Sequence, residues 1–355
     1  MKFIKKFFLY FFLLNIFLAV FFYAKSKIYI GGSDKVFVTY LNQNKQNIDL
    51  EKANFTLFDE KFYASNIFIL SENHGYEDVQ RIDDQLFIHL NKTIGVRFYI
   101  AEMDSTRAKK LNQYLNTPIA DETVLKSVVE DIKMSIPQQS SQQLFDKWKR
   151  IYTYNRSLPD NARIEVLGLD QDFDSKNNTL SRDSSMLLNL KNIVEKRGLQ
   201  NEKFYGLFGF YHGLQTGITE ANRYPFAAKL RRSQLSFFKN VQTITTYTTE
   251  SEMYLPKNDE VPSPPDEKTS LCSMDGLFLN VKGINDLKAA SFPNSATLFK
   301  LDGNNSPYKK SQYLAGVKMN VLGNNILPNN AQQTTTDFFQ YIILLRGTKA
   351  LNPLK

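Results

Sequence analysis

The chain has 355 residues, 42% of them hydrophobic, with one cysteine and three histidines. That supplies a large core and excludes a disordered chain, an internal disulfide and a closed zinc site built from cysteine and histidine. The formal charge of +8 falls to +4 once residues 1–26 are set aside, because they carry four lysines and no acid; with no zinc-finger spacing, Walker-type loop or aromatic RNA-binding signature, nucleic acid is not an expected partner.

The first segment, "MKFIKKFFLYFFLLNIFLAVFFYAKSK", places lysines before an apolar run at 7–24 and Lys25 and Lys27 after it. It reads as an export signal whose lysine-bearing start stays inside. Two forms stay open: a signal peptide cut after Ser26, or an uncleaved anchor, which residues 7–24 are just long enough to provide. In either form residues 27–355 lie outside the cytoplasm, as a periplasmic, secreted or anchored domain on the outer face of the inner membrane, and the anchored form makes the membrane a partner.

Further along, short runs rich in Ile, Val, Phe and Tyr predict strands at 67–70, 98–101, 164–167 and 204–208. Between the first two, Val79, Ile82, Leu86 and Leu90 recur at helical spacing and mark a crossover helix. This alternation predicts an α/β fold with a mainly parallel central sheet flanked by helices. Residues 105–159 carry a helical pattern throughout, too long for a simple crossover, and are read as a helical insertion. Residues 250–275 are rich in proline and charge without periodicity, as a lid or exposed loop would be. "GLFLNVKG", "ATLFKL" and "FFQYIILLRG" are expected to be late strands completing the sheet. No linker divides 27–355, which is read as a single domain.

The chemistry collects where the predicted strands end. The first delivers Glu72 and His74, the second Glu102 and Asp104, the third Asp170 and Asp172, and the fourth His212. In parallel α/β sheets ligands bind at that edge, so these groups should share a cleft. Asp104, before "STRAKKLNQYL", also suits a helix N-cap, and Asp172 an ordinary turn. His89 lies mid-helix and reads as a packed residue, and Cys272 as a bystander in a polar loop. His74 and His212 stand next to glycine, in "ENHG" and "GFYHG", where the backbone can turn an imidazole into a cleft.

A neutral imidazole can take a proton from water while a carboxylate such as Glu72 or Glu102 fixes its tautomer. A second histidine could protonate a leaving group or hold an oxyanion. The same four side chains, Glu72, His74, Glu102 and His212, could instead ligate a divalent metal. The residue types leave both open, while the lack of a G-x-S-x-G elbow gives a serine triad no support. Tyr76, Asp104, Asp170 and Tyr211, beside these groups, are expected to contact a small-molecule substrate.

At these residues the chain resembles the superfamily of erythromycin esterases, ChaN-like haem-binding proteins and TraB/Tiki proteins. "ILSENHGYEDVQRIDDQLFIHL" is similar to its opening strand, Glu/His turn and helix, "VRFYIAEMD" to its second strand, and "GLFGFYHG" to its Gly-x-x-His signature. One residue separates Glu72 from His74, as in the ChaN-like branch, whereas the glycine after His74 is nearer the esterases and Ser71 stands where glycine is usual. The esterase resemblance implies a hydrolase acting on an ester or lactone, with His74 as the base and Glu72, Glu102 and His212 as partners. The ChaN-like branch implies haem binding for iron acquisition, and the TraB/Tiki branch a metallopeptidase.

Overall fold

The computed structural model describes residues 2–172, 179–218, 224–238, 240–257, 263–320 and 324–355. Part of the expected lid, 258–262, lies outside them. Eight strands form the main sheet: β1 (Lys45–Ile48), β2 (Ile67–Glu72), β3 (Phe98–Ala101), β4 (Glu165–Gly168), β5 (Phe204–Gly209), β6 (Val241–Thr249), β7 (Ala296–Lys300) and β8 (Tyr341–Arg346). Their order is β1-β7-β8-β6-β2-β5-β3-β4. From β8 to β4 all pairings are parallel, and only those of β7 with β1 and β8 are antiparallel. This is the α/β architecture expected from the alternating pattern.

The helices that matter here are α1 (Lys2–Ile30), α2 (Lys35–Gln43), α3 (Glu77–Ile94), α4 (Ser105–Asn116), α5 (Glu122–Ile132), α6 (Gln142–Arg156) and α7 (Arg182–Arg197). α3 buries Val79, Ile82, Leu86 and Leu90, the predicted stripe, and stops at Gly95 in the left-handed conformation. Helices α4 to α6 occupy the stretch read as an insertion. They cover one face of the sheet through Leu111, Val128, Val129 and Trp148. Beneath them Lys147 and Asp83 form a buried ion pair at 2.7 Å. Tyr99 and Tyr205 hydroxyls donate to the same carboxylate at 2.8 and 2.7 Å, so the charge is hydrogen-bonded as well as paired.

Two strand expectations need correction. Leu279–Val281, within "GLFLNVKG", does not join the main sheet; it pairs with Val317–Met319 in a separate ribbon against which α1 packs. Conversely β6, which no apolar run announces, is wholly buried at the centre of the sheet. Its threonines bring strand-favouring branched side chains, and hydrogen bonds accommodate the hydroxyls of three of them: Thr243 Oγ1 donates to Gly213 O at 2.8 Å, Ser71 Oγ to Thr245 Oγ1 at 3.0 Å, and Thr246 Oγ1 to Ser71 O at 3.2 Å.

Candidate active site

The site lies at the carboxyl edge of β2, β5 and β3. Register sets Glu72, the last residue of β2, opposite Gly209, the last of β5. β3 pairs with β5 only through Phe98 and Tyr99. Just past the end of β3, Glu102 reaches across to β5, its Oε2 accepting the Gly209 N–H at 2.7 Å. An added Cβ on Gly209 would lie 3.0 Å from His74 Nε2 and 3.6 Å from Glu102 Oε2. Both functional groups therefore border the space above that glycine.

His74 is turned into this space by Gly75, whose φ of +102° favours glycine. Gly75 O accepts the N–H groups of Tyr254 at 2.9 Å and Leu351 at 3.0 Å, which pins the turn from two sides. His74 Nδ1 lies 3.0 Å from Glu72 Oε1. With the proton on Nδ1, that bond leaves Nε2 basic and facing Gly209. Gln139, in the short turn Pro137–Gln139 between α5 and α6, donates to the same Glu72 oxygen at 2.6 Å. The other oxygen, Glu72 Oε2, is buried with no hydrogen-bond partner among the described residues, so a donor arriving with water or substrate would satisfy it.

His212 sits in the turn Phe210–Gly213 that follows β5. Its Nδ1 contacts Asp183 Oδ1 at 2.7 Å, and its Nε2 lies 3.4 Å from Glu102 Oε1. Arg182, at the start of α7, donates from Nη2 to Glu102 Oε1 at 2.8 Å and from Nε to Asp170 Oδ2 at 3.0 Å. Two positive groups thus converge on one carboxylate.

Burial acts against every charge here, and the neighbours overcome it. It would lower the His212 pKa, yet Glu102 and Asp183 raise it to about 10. It would raise Glu102, yet His212, His74 and Arg182 hold that carboxyl well below the usual range. It would lower His74, yet Glu72 and then Glu102 bring it above the ordinary value. Only Asp170 departs from this rule: burial outweighs Arg182 and lifts it. The carboxylates thus favour the charged form of both histidines, with His212 pushed up to about 10 by Glu102 and Asp183.

These groups line a cavity of about 410 Å³. Glu72, His74, Glu102, His212 and Tyr211, all expected from the sequence, border it. Ser135 and Ile136 come from the connection between α5 and α6, and Met253, Cys272 and Leu279 from later segments of the chain. Cys272, expected to be a bystander, is thus a wall residue.

Three expected contacts are corrected. Tyr76 is fully buried and donates its hydroxyl to Cys272 O at 2.9 Å, which leaves it no route to the cavity. Asp104 caps α4, accepting the Arg107 N–H at 2.9 Å, and borders a different cleft with Gly168 and Asn189. Asp170 does not line the cavity, and its carboxylate holds Arg182. His89 packs on Phe55 and meets the Tyr63 hydroxyl at 2.8 Å, as a helix residue outside the site.

Arg182, Asp183 and Gln139 were not foreseen. In "SRDS" an N-cap serine precedes the charged pair, the one local pattern that could have marked Arg182 and Asp183, while "IPQQSS" gives no sign that Gln139 reaches Glu72. Among the described residues no three His, Cys, Asp or Glu side chains are grouped to hold a cation. Both Nδ1 atoms are engaged with carboxylates, and Glu102 with Arg182 and His212.

No protein-family model and no curated protein matches the sequence. The fold does match solved structures. A Bacillus cereus protein superposes with a TM-score of 0.62 at 11% identity, covering 90% of this chain and 99% of that one. A succinoglycan biosynthesis protein gives 0.59 at 13% identity, over 90% and 98%. A mutant of the erythromycin esterase EreC in its open conformation gives 0.57 at 11% identity, over 86% and 98%. At these identities the likeness is one of fold.

Proposed function

We propose that the chain is an extracytoplasmic hydrolase that splits an ester or lactone with water activated by His74. The observation that carries this reading is the pairing of the imidazole nitrogen His74 Nε2, beside Gly209, with two cationic groups, His212 and Arg182, lining the same cavity. The esterase among the fold neighbours supports the same reaction type.

In this reading Glu72 holds the Nδ1 proton of His74, and Nε2 takes a proton from water as the water oxygen bonds to the carbonyl carbon. The carbonyl π electrons move onto oxygen, where the His212 imidazolium and Arg182 offset the charge. Collapse restores the carbonyl and breaks the bond to the leaving oxygen, which takes the proton back from His74 Nε2. The products are an acid and an alcohol, and the histidine is returned neutral. Glu102 keeps both cations in place. Flanking this chemistry, Ser135, Ile136 and Gln138 and the rim at Met253, Cys272 and Leu279 act as walls that select substrate.

The test is turnover of a panel of esters and lactones by the full chain in heavy-oxygen water. Direct attack puts the label into the acid product and none into the protein during a single turnover. Label transferred to a protein carboxylate, or no hydrolysis across the panel, counts against it.

A further inference from the structure

The end of α1 belongs to the folded domain. Ser26 and Ile30 are only 3% and 2% exposed. Asn320 Nδ2 donates to Ser26 Oγ at 2.8 Å, the Gly283 N–H to Ile30 O at 3.2 Å, and Asn285 Nδ2 to Gly31 O at 2.6 Å. Ile30 packs in one cluster with Val281, Ile284 and Val317. The preceding part of the same helix is long and apolar enough to cross a membrane, and its most apolar stretch is 0% buried. One continuous helix is therefore bilayer-like along most of its length and core-like at its end. A cut after Ser26 would remove one of the three acceptors around Asn320 Nδ2, leaving Leu277 O and Asn280 Oδ1, and would start the chain one turn before the core residue Ile30.

The junction adjoins the cleft. The Asn320 N–H donates to Phe278 O at 2.9 Å, and the Phe278 N–H to Leu271 O at 3.1 Å. The next residues along, Leu279 and Cys272, form the cavity rim. So two hydrogen-bonded steps link Ser26 to the cavity wall. Around the junction Lys25, Lys27 and Lys282 are exposed, and Lys318 lies 4.6 Å from the Tyr29 ring. Leu271 presents an exposed apolar side chain beside the same rim. Basic groups with aromatic and aliphatic neighbours at the end of an apolar helix suit the headgroup layer of an anionic bilayer.

We infer that α1 is retained as an anchor built into the domain and that it holds the cleft against the outer face of the bilayer. The substrate class that follows, resting on the hydrolase reading, is an amphiphilic ester presented by the lipid surface.

The test uses the full chain in nanodiscs of phosphatidylglycerol and phosphatidylethanolamine doped with spin-labelled lipid. In a Cys272→Ser background, one bimane probe is placed by Leu271→Cys and another by Ile119→Cys, which lies beyond the end of α4 at the opposite edge of the sheet. Strong quenching at position 271 with little at 119, and an intact mass that includes residues 1–26, are the expected results. Equal quenching, or a mature chain that begins at Lys27, overturns the anchor. Hydrolysis of a long-chain ester in the disc is then compared with its short-chain soluble analogue, with and without Asn320→Ala. Loosening the junction should lower the lipid-borne rate about threefold or more while sparing the soluble one. Equal effects on both overturn the substrate class. No turnover of either ester with the quenching pattern intact defeats the hydrolase reading, and the substrate class with it, while the anchor stands.

Discussion

Gln139 donates to Glu72 at 2.6 Å, a bond that ties the turn between α5 and α6 to the carboxylate orienting His74. Glu72 is 1% exposed, so no solvent replaces the donor cheaply. Gln139→Ala should therefore leave Glu72 free to reorient. With a hydrogen bond to a charged group worth about 1.5 to 3 kcal/mol, kcat should fall about 10- to 100-fold. KM should change little, since Gln139 shapes the base rather than the walls. Steady-state kinetics check this, and a rise in KM at constant kcat would assign Gln139 to substrate contact instead.

The pH profile follows from the two histidines. His74 must be neutral to act as base and sits above its ordinary 6.5, so the rate should rise as pH climbs through a value above 6.5. His212 must stay charged and titrates near 10, so the rate should fall as pH approaches that value. His212→Asn should remove the alkaline limb and leave the acid one in place.

The same shifts act on stability. His212 is raised in the folded chain from 6.5 to about 10, so its contribution is complete below pH 6.5 and is lost as pH rises toward 10. Glu102 is depressed, so its contribution is present above its ordinary 4.5 and is lost as pH falls through the lower folded value. The thermal midpoint should therefore decline on the alkaline side, and His212→Asn should flatten that decline.

Much of this site was legible because the runs ending in "ENHG" and "GFYHG" combine strand-forming residues with histidine beside glycine, and β2 and β5 lie next to each other. β6 was not legible, since its threonines look polar in sequence, and the bonds that Gly213 and Ser71 make to Thr243, Thr245 and Thr246 come from distant parts of the chain. Tyr76 misled for the converse reason: adjacency to His74 in sequence says nothing about direction, and the chain reverses at Gly75, sending the ring into the core. Arg182 reaches Glu102 across 80 positions, a pairing no local pattern encodes.

Below the site, Lys147→Met isolates the role of the buried ion pair. It leaves Asp83 inside the core with two tyrosine donors but no cation. The cost should be about 3 to 5 kcal/mol, seen as a lower denaturation midpoint. Turnover of the folded fraction should be nearly unchanged, because Lys147 does not line the cavity. A midpoint equal to that of the parent would show that the two hydroxyls suffice.

The most direct measurement is a double-mutant cycle on His74 and Glu102, using the ester turned over fastest. His74→Asn should keep the fold and lower kcat/KM by about 10² to 10⁴, the loss typical of a general base. Glu102→Gln should cost a comparable factor, and the double variant little more than either alone, because groups acting as one unit fail together. His89→Asn, outside the site, should leave turnover of the folded fraction intact. Near-normal turnover in His74→Asn, or losses that simply multiply in the double variant, would contradict a single hydrolytic site built from these residues.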